Sequence, residues 1–277
     1  MKQYSDTNLS IQNFENYVQI KCPSETKEIQ STILQGVSIV LISDIHNYQH
    51  LLSLPSADLL LVAGDMTNMG RRKELKKFSK FLSSVKKLFD MIIVVAGNHE
   101  VSMDVQFYNS IGKKYFHDST FNPQVARAYF LENPDVVYLE DSGVEYKGIK
   151  IWGTPWVNPC GNWAFCMYKE GDDKKHFGKI PEETDILISH SPPYGILDMV
   201  PMYSYQVEPT TGEMLKKCKN KHTGNRELLK RVQKIKPKLH VFGHIHECSG
   251  AQIHGDTLFV NAAILNHRHK PKNLPKK

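Results

Sequence analysis

Residues able to bind metal or move a proton fall in five short segments: Asp44-Ile45-His46, Gly64-Asp65, Gly97-Asn98-His99-Glu100, Ser189-His190 and Gly243-His244-Ile245-His246. Together they offer carboxylate, amide and imidazole donors for two cations, with one histidine to spare. Two cations about 3.5–4 Å apart can clamp phosphate oxygens and acidify a water held between them, the equipment of phosphate-ester hydrolysis. A single histidine at a strand end is usually a hydrogen-bonded structural residue. The weight lies in all five segments occurring in order, nearly every one behind an apolar run.

The residue types suggest roles. Side-chain alternation at a strand-to-loop transition lets Asp44 and His46 face the same way and reach one ion. Asp65, with two carboxylate oxygens, can bridge two ions, while Asn98 adds a neutral amide oxygen. His190, His244 and His246 supply imidazole nitrogens, and small offsets can send His244 and His246 to different ions. Mixed nitrogen and oxygen donors fit manganese, iron or zinc better than calcium, and magnesium is less suited to so many histidines. His99 is surplus to that count and is placed to protonate a leaving alkoxide as general acid. Asp65 and Asn98 join it as the catalytic set. Glu100 either orients a histidine or caps the segment that follows.

The elements positioning these segments read as α/β. Val37–Ile42, 58–63 and 91–96 are apolar runs ending at Ser43-Asp44, Gly64-Asp65 and Gly97-Asn98, as strands buried on both faces do. Between the second and third, Leu75, Phe78, Leu82, Val85 and Phe89 form a helical stripe, with Thr67 or Asn68 as N-cap. Functional residues at the carboxyl ends of such strands are expected to converge. Further strands are expected over 135–139, 144–147, 149–152, 185–188 and 238–242, and a helix over 225–235. A hairpin with its turn at Gly255-Asp256 joins strands over 251–254 and 257–261. A Pro- and Tyr-bearing loop follows His190. The natural assembly is one domain over 36–266, a sandwich of two sheets with flanking helices. Residues 1–35 form an N-terminal extension, with a strand near Tyr17-Val18-Gln19-Ile20, and 267–277 a basic tail.

Composition limits the alternatives. The chain has 277 residues and a net charge of +6, of which Arg268, Lys270, Lys272, Lys276 and Lys277 contribute +5. The body is therefore near neutral and does not call for a nucleic-acid groove. No membrane span or secretory leader is readable, and five scattered cysteines do not form a disulfide framework. These features predict a cytoplasmic protein with free thiols. Oligomeric state is not readable. Several aromatic residues (Trp152, Trp156, Trp163, Phe165, Tyr168 and Tyr194) lie in or near loops after strands. Trp156 and Tyr194 are preferred for contacting substrate, and His222 for bordering the pocket. His269, like most histidines outside the five segments, is expected to be solvent-exposed or structural.

With these residues in hand, the chain resembles the calcineurin-like metallophosphoesterases, whose marks are Asp-x-His, Gly-Asp, Gly-Asn-His, a lone His and Gly-His-x-His. Residues 96–100, 151–156, 189–195 and 237–247 resemble the metallophosphoesterase-domain-containing branch in particular. The resemblance implies a four-layer αββα sandwich, two mixed β-sheets flanked by helices, with a dinuclear metal site at the carboxyl ends of strands. It implies Asp44, His46, Asp65 and His246 on one ion, and Asp65, Asn98, His190 and His244 on the other. His99 matches the catalytic histidine. It also implies two divalent ions, manganese foremost, and phosphodiester substrates including cyclic nucleotides. One departure stands out: many members read Gly-Asp-x-x-Asp, whereas 64–68 here ends in Asn68. That removes a carboxylate from a secondary orienting interaction while leaving every metal ligand in place.

The expected activity is therefore hydrolysis of small phosphodiesters or nucleotides by a metal-bridging hydroxide, with His99 as general acid. The alternatives are a phosphomonoesterase, phosphoprotein phosphatase or nuclease of the same fold, or a metal-bearing scaffold without turnover.

Overall fold

The computed structural model describes residues 10–13, 18–21, 36–115, 122–207, 214–266 and 268–270. Strands β1 (Ser10–Asn13) and β2 (Val18–Lys21) pair antiparallel, β2 taking most of the strand expected there. The rest of the extension expected over 1–35 lies outside the described residues, as does the tail over 267–277 except for 268–270.

The three apolar runs become the parallel strands β3 (Ile39–Ile42), β4 (Ala57–Ala63) and β5 (Phe89–Val95), joined at one edge by β6 (Val137–Leu139). Burial on both faces explains their unbroken hydrophobicity. Val40, Ile42, Leu60, Val62, Ile92 and Val94 pack on one side against Leu75, Phe78 and Leu82 of helix α1 (Arg72–Val85). Helix α2 (Val105–Ser110) lies beyond the Gly-Asn-His loop, and α3 (Pro123–Leu131) adds Ala126 and Phe130 to the same layer. Helix α1 starts later than an N-cap at Thr67 or Asn68 would place it, its N-cap being Arg71. Thr67 and Asn68 belong to the loop after β4, and Glu74 reaches back to accept from the Arg71 backbone N–H at 2.9 Å. Phe89, the last residue of the stripe, instead opens β5 and is buried there.

The second sheet contains β7 (Ser142–Tyr146), β8 (Ile149–Thr154), β9 (Ile186–Ser189), and further along the chain three more strands. Helix α4 (Asp172–Phe177) lies between β8 and β9. After β9 come a long antiparallel hairpin, β10 (Met199–Val207) and β11 (Met214–His222), and helix α5 (Arg226–Ile235). Strands β12 (Leu239–Phe242), β13 (Gly250–His254) and β14 (Thr257–Asn261) complete the sheet, in the order β13-β14-β12-β9-β8-β7. It is parallel in the middle and antiparallel at both edges. The hairpin β10–β11 occupies the stretch read from sequence as a loop; its lysine-rich second strand carries little apolar alternation to mark it.

Leu41, Leu59, Leu61, Ile93 and Val95 of the four-stranded sheet meet Ile151, Ile186, Ile188, Val241 and Val260 of the six-stranded one. On the far side, Leu187, Phe242 and Phe259 pack under Phe177 of α4 and Leu228 and Val232 of α5. The result is the α/β sandwich of helix, sheet, sheet and helix layers, its mixed pairing residing in the six-stranded sheet. Among the described residues, no helix is long and apolar enough to cross a membrane.

Candidate metal centre

The five segments meet where β3, β4 and β5 of one sheet and β9 and β12 of the other end. The loop after β3 is pinned to the loop after β4: the Asp44, Ile45 and His46 N–H groups donate to Gly64 O, Asp65 O and Asp65 O at 3.0, 2.9 and 3.1 Å. Asp44 and His46 thus approach each other through a curled loop, not through strand alternation. Asp44, His46, Asp65 and His244 all have positive φ, at 53°, 42°, 50° and 68°. Left-handed backbone at such residues costs on the order of 1–3 kcal/mol each and persists only where the surroundings enforce it. Gly243 shows that enforcement. A Cβ there would lie 2.0 Å from Ser43 Oγ and 2.1 Å from Asp44 Oδ2. The missing side chain lets the Gly-His-Ile-His loop press onto Asp44, whose carboxylate accepts from the His244 N–H at 3.0 and 3.1 Å.

Donor atoms gather into three sets, each within 4.8 Å: Asp44, His46 and His246; His46, Asp65 and His99; and Asp65, His190 and His244. His246 Nε2 is 3.1 Å from Asp44 Oδ1, and Asp65 Oδ2 lies 3.3 Å from His190 Nε2 and 3.6 Å from His46 Nε2. Asn98 Oδ1 is 3.2 Å from His190 Nε2. His244 and His246, one residue apart, join different sets. The other ring nitrogens are anchored, His190 Nδ1 at 2.8 Å from Ala63 O and His246 Nδ1 at 3.2 Å from Asn266 O. Backbone partners of this kind fix the ring orientation of metal-binding histidines.

Carboxylates and imidazoles in this cluster shift one another's protonation. Burial raises the Asp44 carboxyl, but His246 outweighs it and brings it down to about 2. Burial opposes ionisation of Asp65 as well, and His190 and His99 hold it well below the usual carboxylate range. In turn, burial lowers His190 and His246, yet Asp65 carries the first up to about 10 and Asp44 the second up to about 9. Burial lowers His46 to about 3 and His244 to about 4. The Nε2 of His46 is buried with no hydrogen-bond partner among the described residues. An orphaned nitrogen beside two carboxylates is what a cation would satisfy, so the residues fit a metal pair.

His99 stands at the edge of this cluster. Its Nδ1 lies 2.7 Å from the main-chain O of Asn68, and its Nε2 faces Asp65 Oδ2 at 3.9 Å. The orienting contact expected to suffer from asparagine at position 68 is therefore made by the backbone, whatever the side chain. Glu100 follows neither of its two readings: it caps no following segment, since Asp104 accepts from the Phe107 N–H at the start of α2, and among the described residues its hydrogen bonds reach no histidine ring. Its carboxylate accepts from the Thr67 N–H and hydroxyl, both at 2.9 Å, and from the Gly97 N–H at 2.8 Å, tying together the loops after β4 and β5. Burial and the neighbouring Asp65 raise Glu100 to about 8 against the pull of those donors.

A cleft of about 300 Å³ opens over the cluster, lined by Asp65, Asn98, His244 and His246. His99, Trp163 and His269 also line it. Trp163 lies with its ring centroid 4.1 Å from that of His99. The aromatic and histidine residues preferred from sequence go elsewhere. Trp156 packs 3.6 Å from the His176 ring and donates to Asp141 Oδ2 at 3.0 Å. Tyr194 lies under the Arg226 guanidinium at 3.6 Å and beside His222, whose Nδ1 is 2.6 Å from the buried Asp198 Oδ1. None of Trp156, Tyr194 and His222 is in the cleft lining. Each is engaged by a local partner that no spacing rule announces. His269, expected in solvent or in a structural role, comes to the mouth of the cleft because the chain after β14 crosses to the first sheet. No motif marks that crossing.

An α/β sandwich carrying this cluster at its strand ends is a metal-dependent phosphoesterase, a hydrolase of phosphate esters. Residues 37–248 match the model of the calcineurin-like phosphoesterase family, and the chain belongs to that family. It is 35% identical over 244 residues to metallophosphoesterase domain-containing protein 1 of Homo sapiens and of Mus musculus, covering 85% of this chain and 68% of theirs. It is 31% identical over 251 residues to UPF0046 protein K07C11.7 of Caenorhabditis elegans, covering 90% of this chain and 78% of that one. These relatives place it in the metallophosphoesterase-domain-containing branch.

Proposed function

We propose that the protein hydrolyses small phosphodiesters, cyclic nucleotides foremost, with His99 as general acid and manganese as the preferred metal. In this reading Asp44, His46, Asp65 and His246 hold one cation, and Asp65, Asn98, His190 and His244 the other. Bound there, the cations would supply Lewis acidity toward the phosphoryl oxygens and lower the pKa of a water. The protein's own residues do the rest. Asp65 lies between the two donor sets, and Asn98 keeps the second set together through His190.

The observation that carries the reading is the setting of His99. With Nδ1 committed to the Asn68 carbonyl, Nε2 is the atom left to hold and release a proton at the cleft. Protonating a departing alkoxide eases the expulsion of a poor leaving group from phosphorus, which such an acid can do for a diester. Trp163, beside His99, offers that leaving arm an aromatic surface. Stacking of a base on such a ring is worth about 1–3 kcal/mol. The resemblance to the metallophosphoesterase-domain-containing branch ranks cyclic nucleotides first. Cys160, Cys166, Cys218 and Cys248 are free, in keeping with a reducing, cytoplasmic setting.

The test is a side-by-side assay of manganese-loaded protein on bis-p-nitrophenyl phosphate, p-nitrophenyl phosphate and a panel of cyclic nucleotides. Faster turnover of the diesters supports the reading. Faster turnover of the monoester overturns it in favour of a phosphomonoesterase, and no turnover of any ester favours a scaffold.

A further inference from the structure

After β14 the chain leaves the six-stranded sheet and runs alongside the end of β3. Ser43 donates to Ala262 O at 3.0 Å and accepts from the Ile264 N–H at 2.9 Å, so the crossing is fastened next to Asp44. Ile264 and Leu265 are buried. The next residue, Asn266, builds a closed turn. Its N–H donates to Lys270 O at 3.0 Å, and its carbonyl accepts from the His269 N–H at 2.8 Å. Its side-chain oxygen accepts from the Arg268 and Lys270 N–H groups at 2.9 and 3.2 Å. The same Asn266 carbonyl meets His246 Nδ1 at 3.2 Å. One residue therefore both orients a histidine of the cluster and shapes the turn that follows.

That turn sets the exposed ring of His269 over the cluster, 4.9 Å from the His246 ring centroid and 5.3 Å from that of His46. His269 itself sits at a φ of 51°, a backbone state that needs support from its surroundings. It lines the cleft along with His99 and Trp163, yet it belongs to none of the three donor sets that could hold an ion. A ring held there, facing the opening and outside the coordination groups, is positioned for what enters the cleft.

We propose that His269 is a substrate-binding residue whose ring N–H donates to an oxygen of the bound phosphoryl group. The inference rests on the phosphoesterase reading above and extends it to the C-terminal segment. Phosphate oxygens are strong acceptors, and a donor aimed at one from the cleft mouth fixes which way the ester arms point.

The experiment compares wild type, His269→Ala and His269→Gln, each loaded with manganese. Bound metal is measured by mass spectrometry, inorganic phosphate affinity by calorimetry, and KM and kcat with bis-p-nitrophenyl phosphate. Loss of one hydrogen bond to a charged group predicts that His269→Ala binds phosphate about tenfold more weakly, with a matching rise in KM. Metal content should equal that of wild type, and His269→Gln, whose amide can donate, should recover much of the affinity. Unchanged phosphate affinity in His269→Ala, or a lost ion, overturns the proposal; the second result would make His269 a ligand. If wild type turns over no ester, the phosphoesterase reading fails while the phosphate titration still decides whether His269 binds the anion. Failure of loaded wild type to bind phosphate would count against both.

Discussion

His99 and Asn68 are joined through the backbone: the imidazole Nδ1 lies 2.7 Å from the Asn68 carbonyl oxygen. The proposed acid is oriented by a group that side-chain substitution at 68 leaves in place. Asn68→Ala should therefore keep turnover within about threefold of wild type, whereas His99→Ala should lower kcat by about 10²–10⁴. Steady-state kinetics alongside metal analysis checks both. His99→Ala is expected to retain its metal, and equal metal loss in His99→Ala and an Asp65 variant would refute the role given to His99.

Asp65 contributes to two of the three donor sets and lies within 3.6 Å of both His46 and His190. Asp65→Ala should bind far less metal than wild type, with activity falling in proportion. Retention of both ions would show that Asp65 is no bridge.

Gly243 leaves no room for a side chain against Ser43 and Asp44. Gly243→Ala should displace the Asp44 carboxylate or the His244 loop, weakening metal affinity and lowering Tm. Overpacking of this kind typically costs about 1–3 kcal/mol. Calorimetric metal titration and a thermal melt would detect both effects, and wild-type values for both would refute the tight approach.

Asp141 joins several elements, accepting from Thr154 Oγ1 at 2.7 Å, Trp156 Nε1 at 3.0 Å, His176 Nδ1 at 2.9 Å and Lys179 Nζ at 2.7 Å. Burial raises its pKa, but His176, Lys179 and Thr154 outweigh that and hold it below the ordinary 3.8. A carboxyl lowered on folding stabilises the protein above its unfolded pKa, and that contribution fades as pH falls through and below 3.8. Asp141→Asn should thus cost about 1–3 kcal/mol at neutral pH, with the gap to wild type narrowing in acid. Urea unfolding at pH 7 and near pH 3 measures it; a gap independent of pH would contradict the assignment.

The donor residues that gather at the strand ends were legible because their segments follow apolar strands and belong to short patterns. The strands ending in 43–44, 64–65 and 97–98 were readable for the same reason: burial on both faces leaves an unbroken hydrophobic run. What escaped were contacts made by folding alone. Strand alternation gave the right partner for Asp44 but the wrong means, since a curled loop with positive φ brings His46 to it. Trp163, and not Trp156, reached the cleft because Asp141 and His176 capture Trp156. His269 arrived through a chain crossing fixed by Ser43 and Asn266, residues without any metal-binding pattern of their own.

The most direct test of the account is to titrate metal-free protein with Mn²⁺ while following bound metal and hydrolysis of bis-p-nitrophenyl phosphate together. Binding of two ions per chain, with turnover appearing as the pair is completed, is the predicted result. Saturation at a single ion, or full loading without hydrolysis of the diester, would contradict it.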